Sequence, residues 1–189
     1  MPNLGACAVA AAATLALAGC GGGERRDAGA RDATFTVSVQ RAAFAPRQRI
    51  GQRNALVIAV RNTGDAAIPD LAVTVRGFAD RSGGPRNADL GRNLWLVDRE
   101  PAGTTTAFAD TWTSGRLEPD ETATLRWEVT PVVAGTHELS YAIAPAVAGD
   151  GRVRLAGGGA AGGSLTARVV DRPAGARVDP RTGAVQRRE

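Results

Sequence analysis

From Thr34 onward the chain alternates apolar and polar residues over short stretches, separated by clusters of turn-forming residues. Thr34-Phe35-Thr36-Val37-Ser38-Val39-Gln40 sets the pattern. A period of two places every second side chain on one face, as a half-buried strand requires. Residues 122–130 repeat it, with Leu125, Trp127 and Val129 facing one way and Thr124, Arg126 and Glu128 the other. Residues 136–143 do the same, with His137, Leu139, Tyr141 and Ile143 on the inner face. Residues 55–60 form a continuous apolar run closed by Arg61-Asn62-Thr63-Gly64-Asp65, and residues 71–76 alternate again. The two segments are expected to pair as neighbours across that turn. Shorter strands are expected at 94–97, 105–113, 152–155 and 165–170, with loops at 77–92 and 157–163. Pro119-Asp120 reads as a turn, because proline presets φ at the first central position and aspartate suits the second.

No helical periodicity follows residue 19, and the stretch from Arg172 carries no periodicity at all. Eight or nine short strands punctuated by turns predict an all-β fold, an antiparallel immunoglobulin-like β-sandwich. Aromatic residues make up only 4% of the chain, so Trp95, Trp112, Trp127 and the phenylalanines should carry much of the core. The expected organisation is residues 1–19, a signal peptide; 20–33, a flexible linker; 34–171, the sandwich; and 172–189, a basic flexible tail.

The N-terminal 18 residues follow a different pattern. From Leu4 to Ala18 almost every residue is Ala, Leu or Val. The run is shorter than the roughly 20 residues needed to cross a bilayer, and small residues follow it, as in a cleavable signal. Leu17-Ala18-Gly19-Cys20 closes it. This tetrapeptide resembles the lipobox of bacterial lipoproteins. The resemblance implies lipidation of the Cys20 sulfur, cleavage before Cys20, and a mature chain anchored on the extracytoplasmic face of a cell membrane. Acyl chains contribute about 0.8 kcal/mol per buried methylene, so two or more hold stably. The departure is Met1-Pro2-Asn3, which supplies no basic side chain.

Composition changes the picture in two ways. Cys7 leaves with the signal and Cys20 would be thioether-linked, so the mature domain has no cysteine for a disulfide or a metal. All 23 basic residues are arginine and the net charge is +4. Acidic lipid headgroups or envelope polyanions are therefore conceivable partners. Arginines and acids nonetheless alternate, as in Asp98-Arg99-Glu100, and cluster in sequence only at Arg25-Arg26 and Arg187-Arg188. Export and sparse clustering both oppose nucleic-acid binding.

The segment Val57-Ile58-Ala59-Val60-Arg61-Asn62-Thr63-Gly64, followed by Ile68-Pro69-Asp70-Leu71-Ala72-Val73-Thr74-Val75, resembles the opening of CARDB-like and other immunoglobulin-like domains. Leu117-Glu118-Pro119-Asp120-Glu121 is similar to their L-x-P-G-E turn, with Asp120 in place of glycine. The resemblance spans roughly residues 34–170 and implies a fold; adhesion and envelope scaffolding follow only by analogy.

Candidate chemistry is sparse. His137 is the only histidine, and its position after Gly135-Thr136 suggests a corner residue bonded to nearby backbone rather than a catalytic base. Ser38, Ser82, Ser114, Ser140 and Ser164 sit in no nucleophile-elbow motif. Asp65, Asp70, Asp80 and Asp89 lack the dense spacing of a calcium loop and read as solvated turn acids. The Gly157–Gly163 glycines lack the Lys-Ser/Thr of a phosphate loop. No catalytic residue, cofactor or metal ligand is therefore expected. The sequence points to a non-enzymatic binding or scaffolding module of the cell envelope, with recognition by loops 77–92 and 157–163. An accessory subunit of a membrane transporter or wall complex, docked through a sheet edge, is the alternative; an envelope hydrolase is a third. The partner, protein or polysaccharide, is not identified by any motif.

Overall fold

The computed structural model describes residues 33–80, 92–147, 151–172 and 175–187. Leu17, Ala18, Gly19, Cys20 and the linker up to residue 32 lie outside these residues, as do residues 81–91.

In chain order the strands are β1 (Thr34–Ala43), β2 (Arg47–Arg49), β3 (Asn54–Asn62), β4 (Ala72–Arg76), β5 (Ala79–Asp80), β6 (Arg92–Asn93) and β7 (Trp95–Arg99). They continue with β8 (Thr105–Phe108), β9 (Thr111–Thr113), β10 (Thr122–Pro131), β11 (Gly135–Ala144) and β12 (Arg152–Leu155). The last are β13 (Gly162–Val170), β14 (Ala176–Val178) and β15 (Val185–Arg187). Five form one sheet in the order β12-β1-β3-β10-β7, six form a second, β2-β13-β11-β4-β9-β8, and β5/β6 and β14/β15 make separate two-stranded ribbons. The chain is all-β, a two-sheet sandwich. Its pairing departs from the purely antiparallel expectation at β1/β12 and β13/β2, which are both parallel.

Alternation decides which face is buried. On β10, Leu125, Trp127 and Val129 are buried while Thr124 and Arg126 are exposed, as the period of two predicts. β3 runs between β1 and β10, which explains its unbroken apolar run: Val57 and Ala59, on its outer face, are buried as well. Trp112 from one sheet meets Trp127 from the other edge to face, with ring centroids 5.3 Å apart at 78°. Such pairs contribute about 0.5–1.5 kcal/mol beyond their burial. Phe78 packs edge-on against Trp112 at 6.3 Å.

Several local expectations are corrected. β3 and β4 are not neighbours; they lie in opposite sheets. Asn62 explains why. Fully buried, it donates from Nδ2 to the carbonyls of Ala66 (2.9 Å) and Leu117 (3.1 Å), and its Oδ1 accepts from Gly64 N (3.1 Å). The N-x-G signature therefore builds a crossover between sheets rather than a hairpin. Ile68 and Leu117 exchange backbone bonds at 2.9 Å to seal that crossover.

Residues 105–113 form a hairpin of β8 and β9, not one strand, reversing at Asp110 with φ of 66°. Phe108 is 65% exposed and contributes little to the core. The segment from Arg172, expected to lack strands, pairs β14 with β15. Gly162 and Gly163, expected in a loop, are ladder residues of β13 opposite Ala142 and Tyr141. A Cβ on Gly163 would lie 2.9 Å from the Tyr141 hydroxyl, so glycine lets the tyrosine ring cover the strand.

The Pro119-Asp120 turn forms as expected. Glu121 N donates to Glu118 O at 3.1 Å, and Asp120 has φ of 64°, the sign a type II turn requires. Asp120 thus adopts a left-handed backbone conformation that glycine reaches without steric cost.

Candidate functional site

At the end of the sandwich where β1 finishes, Gln48 organises a polar knot. β2 is only three residues long and lies at a sheet edge, where strands fray easily. Its central residue, Gln48, is 2% exposed. Gln48 Nε2 donates to Ala45 O at 2.9 Å, and its Oε1 accepts from Trp95 Nε1 at 2.8 Å. Trp95 is in turn flanked edge-on by Phe44 (5.6 Å) and His137 (5.4 Å). One amide side chain therefore ties an edge strand of one sheet to an indole of the other. Gln48 carried no motif in the sequence; only an isolated glutamine between two arginines marked it.

The imidazole of His137 is half-buried, and its Nε2 lies 3.1 Å from Val133 O. This is the corner arrangement expected from its position. The serines are scattered: Ser38 Oγ accepts from Gln40, and Ser140 and Ser164 are exposed on different strands. Ser114 Oγ is buried without a partner among the described residues, and Ser82 lies outside them. Asp70 is buried and accepts from Gly115 N at 3.0 Å, bracing the crossover rather than facing solvent as a turn acid. Asp65 is exposed, and Asp89 is outside the described residues. Among the described residues, no three His, Cys, Asp or Glu side chains gather as a metal site.

Of the two proposed recognition loops, 77–92 is corrected at its ends. Gly77 has φ of 105°, and a Cβ there would collide with Glu138 O. Phe78 is buried in the core, and β5 pairs with β6 across the segment. The 157–163 turn is tight, with Gly158 N donating to Leu155 O at 2.8 Å.

The fold gathers charge that the sequence kept apart. In the parallel pair β2/β13, Arg47 stands opposite Arg168 and Arg49 opposite Val170, while Gln48 and Val169 face the core. Arg47, Arg49 and Arg168 therefore project from the same outer face. With Gln52 and Val170 they line a concavity of about 590 Å³. Among the described residues none of the three has an ion-pair partner, and the acids nearest in register or sequence, Glu138 and Asp171, do not reach them. The arginines of the neighbouring corner behave differently: Arg53 contacts Asp98 (3.5 Å) and Glu128 (3.6 Å), and Arg99 reaches Glu128 at 3.2 Å. A second, mainly apolar cavity of about 510 Å³ lies at the opposite end, between Ile143, Pro145, Val153 and Ala160, with Arg152 and Arg154 also on its lining.

Fold and site together define a two-sheet β-sandwich with a basic concavity at one end. No protein-family model matches the chain, and no curated protein sequence matches it. Among solved structures, it is similar to the CARDB domain of a Pyrococcus furiosus protein in complex with di-metal ions. That likeness has 15% identity, covers 72% of this chain and 87% of that one, and has a TM-score of 0.43. It is also similar to native alpha-2-macroglobulin from Escherichia coli, at 13% identity over 79% of this chain and 21% of that chain, TM-score 0.43. A third similarity is to AvmM, described as catalysing macrocyclization in alchivemycin A biosynthesis, at 12% identity over 71% and 90% of the two chains, TM-score 0.38. Likenesses this distant bear on neither ligand nor chemistry.

Proposed function

We propose that this protein is a membrane-anchored bacterial lipoprotein whose sandwich acts as a non-enzymatic binding module in the cell envelope. The observation that carries the reading is the polarity of the domain along its length. The chain from Cys20 joins β1 at Thr34, whereas the three arginines that share a concavity, Arg47, Arg49 and Arg168, lie beyond the far end of β1. A ten-residue strand is roughly 30 Å long, so a ligand held there would stand off the anchoring surface. His137 supports recognition over hydrolysis, because its Nε2 is engaged by a backbone carbonyl and packing fixes its ring.

Mass spectrometry of the N-terminal peptide from membranes tests the anchor. A diacylated Cys20 is expected, and Cys20→Ser should abolish it. Release of unmodified mature protein from wild-type cells would overturn the proposal.

One observation favours docking to a membrane complex as a second reading. Edge strand β7 presents Leu96 and Val97 at 45% and 37% exposure. A stoichiometric membrane-protein partner, lost in Leu96→Asp after mild detergent extraction, would select it.

A further inference from the structure

We propose that Arg47, Arg49 and Arg168 form a binding site for a phosphate-bearing ligand, free or polymeric, rather than for a bilayer surface. The inference rests on reading the domain as a recognition module and names the chemistry recognised.

Three features converge. The cations are placed by strand register, Arg47 opposite Arg168, not by mobile loops. Their backbone is fixed from beneath, because Gln48 is bonded to Ala45 O and Trp95 Nε1, while Ile50 N donates to Val170 O at 3.3 Å and Gly51 N to Pro131 O at 3.0 Å. No carboxylate of the described residues neutralises them, unlike Arg53 and Arg99 of the neighbouring corner; Arg126, Arg152 and Arg154 have no such partner either, so what sets Arg47, Arg49 and Arg168 apart is that all three line one concavity. Cations on an edge strand also discourage edge-to-edge pairing. That explains Arg47 and Arg49 but not Arg168, which lies on the next strand inward.

Guanidinium groups present forked donors that match phosphate oxygens bidentately. Three of them around one concavity suit a multiply charged anion better than a single carboxylate, which would leave two cations uncompensated. The distance of the site from Thr34 argues for a ligand away from the anchoring leaflet.

The test uses the full chain as purified from cells, in neutral detergent, titrated calorimetrically with inorganic tripolyphosphate. Saturable binding is expected, weakened by at least about tenfold in the triple variant Arg47→Gln, Arg49→Gln, Arg168→Gln. A control replacing Arg126, Arg152 and Arg154, all exposed and without an ion-pair partner among the described residues, removes the same charge elsewhere and should change affinity by less than about twofold. Circular dichroism confirms folding; should the triple variant unfold, Arg168→Gln alone must still weaken binding. Three results overturn the proposal: no saturable binding, equal loss in both triple variants, or binding that appears only when the micelles contain anionic phospholipid. None of these touches Cys20 lipidation, so the anchor and the anion site stand or fall separately.

Discussion

Trp95 and Trp127 are buried alike, at 1% and 0% exposure, yet their indole N–H groups meet opposite fates. At the waist of the sandwich, Trp127 and Trp112 interlock edge to face, and neither Nε1 has a hydrogen-bond partner among the described residues. An unpaired buried donor raises the energy by about 1–3 kcal/mol, so shape and apolar contact must outweigh it there. At the end beyond β1, Trp95 Nε1 is matched to Gln48 Oε1, and the Gln48 amide and the His137 ring beside it each make a directed bond to a backbone carbonyl. The waist joins two sheets that many residues already hold. The end must place a three-residue edge strand, which packing alone would leave to slip. Non-directional packing suffices where redundancy is high; a specified bond appears where one strand depends on it.

The largest effect should come from breaking the waist. Trp127→Ala removes the central ring and should destabilise by about 3–5 kcal/mol in denaturant unfolding, whereas Trp127→Phe should lose far less because no polar partner is stranded. Comparable losses in both would mean that the indole N–H is satisfied after all. Next, Gln48→Ala strands Trp95 Nε1 and should cost about 1–3 kcal/mol. Hydrogen exchange should quicken at Arg47–Arg49 while β10 stays protected; uniform quickening would erase the contrast between the two regions. His137→Phe keeps an aromatic edge against Trp95 and loses only the Val133 bond, so a loss of about 0.5–1.5 kcal/mol is expected.

The smallest effect concerns Tyr141. Burial disfavours the phenolate and raises its pKa above 10.0. The folded state then holds the proton more tightly than the unfolded chain. Stability from this source is complete below pH 10, and falls as pH rises through the folded value. With one tyrosine in the chain, the phenolate absorbance reads the midpoint directly. A midpoint at or below 10.0, or an unchanged alkaline slope in Tyr141→Phe, would contradict the assignment.

Strand positions were legible wherever alternation was unbroken, as in β10, β11 and β12. They blurred where a local irregularity reset the period. β1 was expected to end at Gln40 but continues to Ala43, because a register shift between Val39 and Arg41 leaves Gln40 as an extra residue and inverts the faces beyond it. The β8–β9 reversal uses Ala109-Asp110 without Gly or Pro, so nothing punctuated it. The Asn62 crossover looked like a hairpin turn because its deciding bonds, to Ala66 and Leu117, depend on tertiary placement. The arginine concavity was invisible for the same reason. Arg47 and Arg168 are remote in sequence, and only the parallel β2/β13 register unites them.

That β1, the first strand of the described residues, is not a sheet edge has a mechanical consequence. β1 is laddered antiparallel to β3 along one side and parallel to β12 along the other. A pull applied at Thr34 along the strand loads both ladders in shear, so several bonds must fail together instead of parting one by one. A domain dragged by its N-terminus is thus gripped through a strand laddered on both sides, and traction there should leave the opposite end undisturbed until the whole sheet gives way.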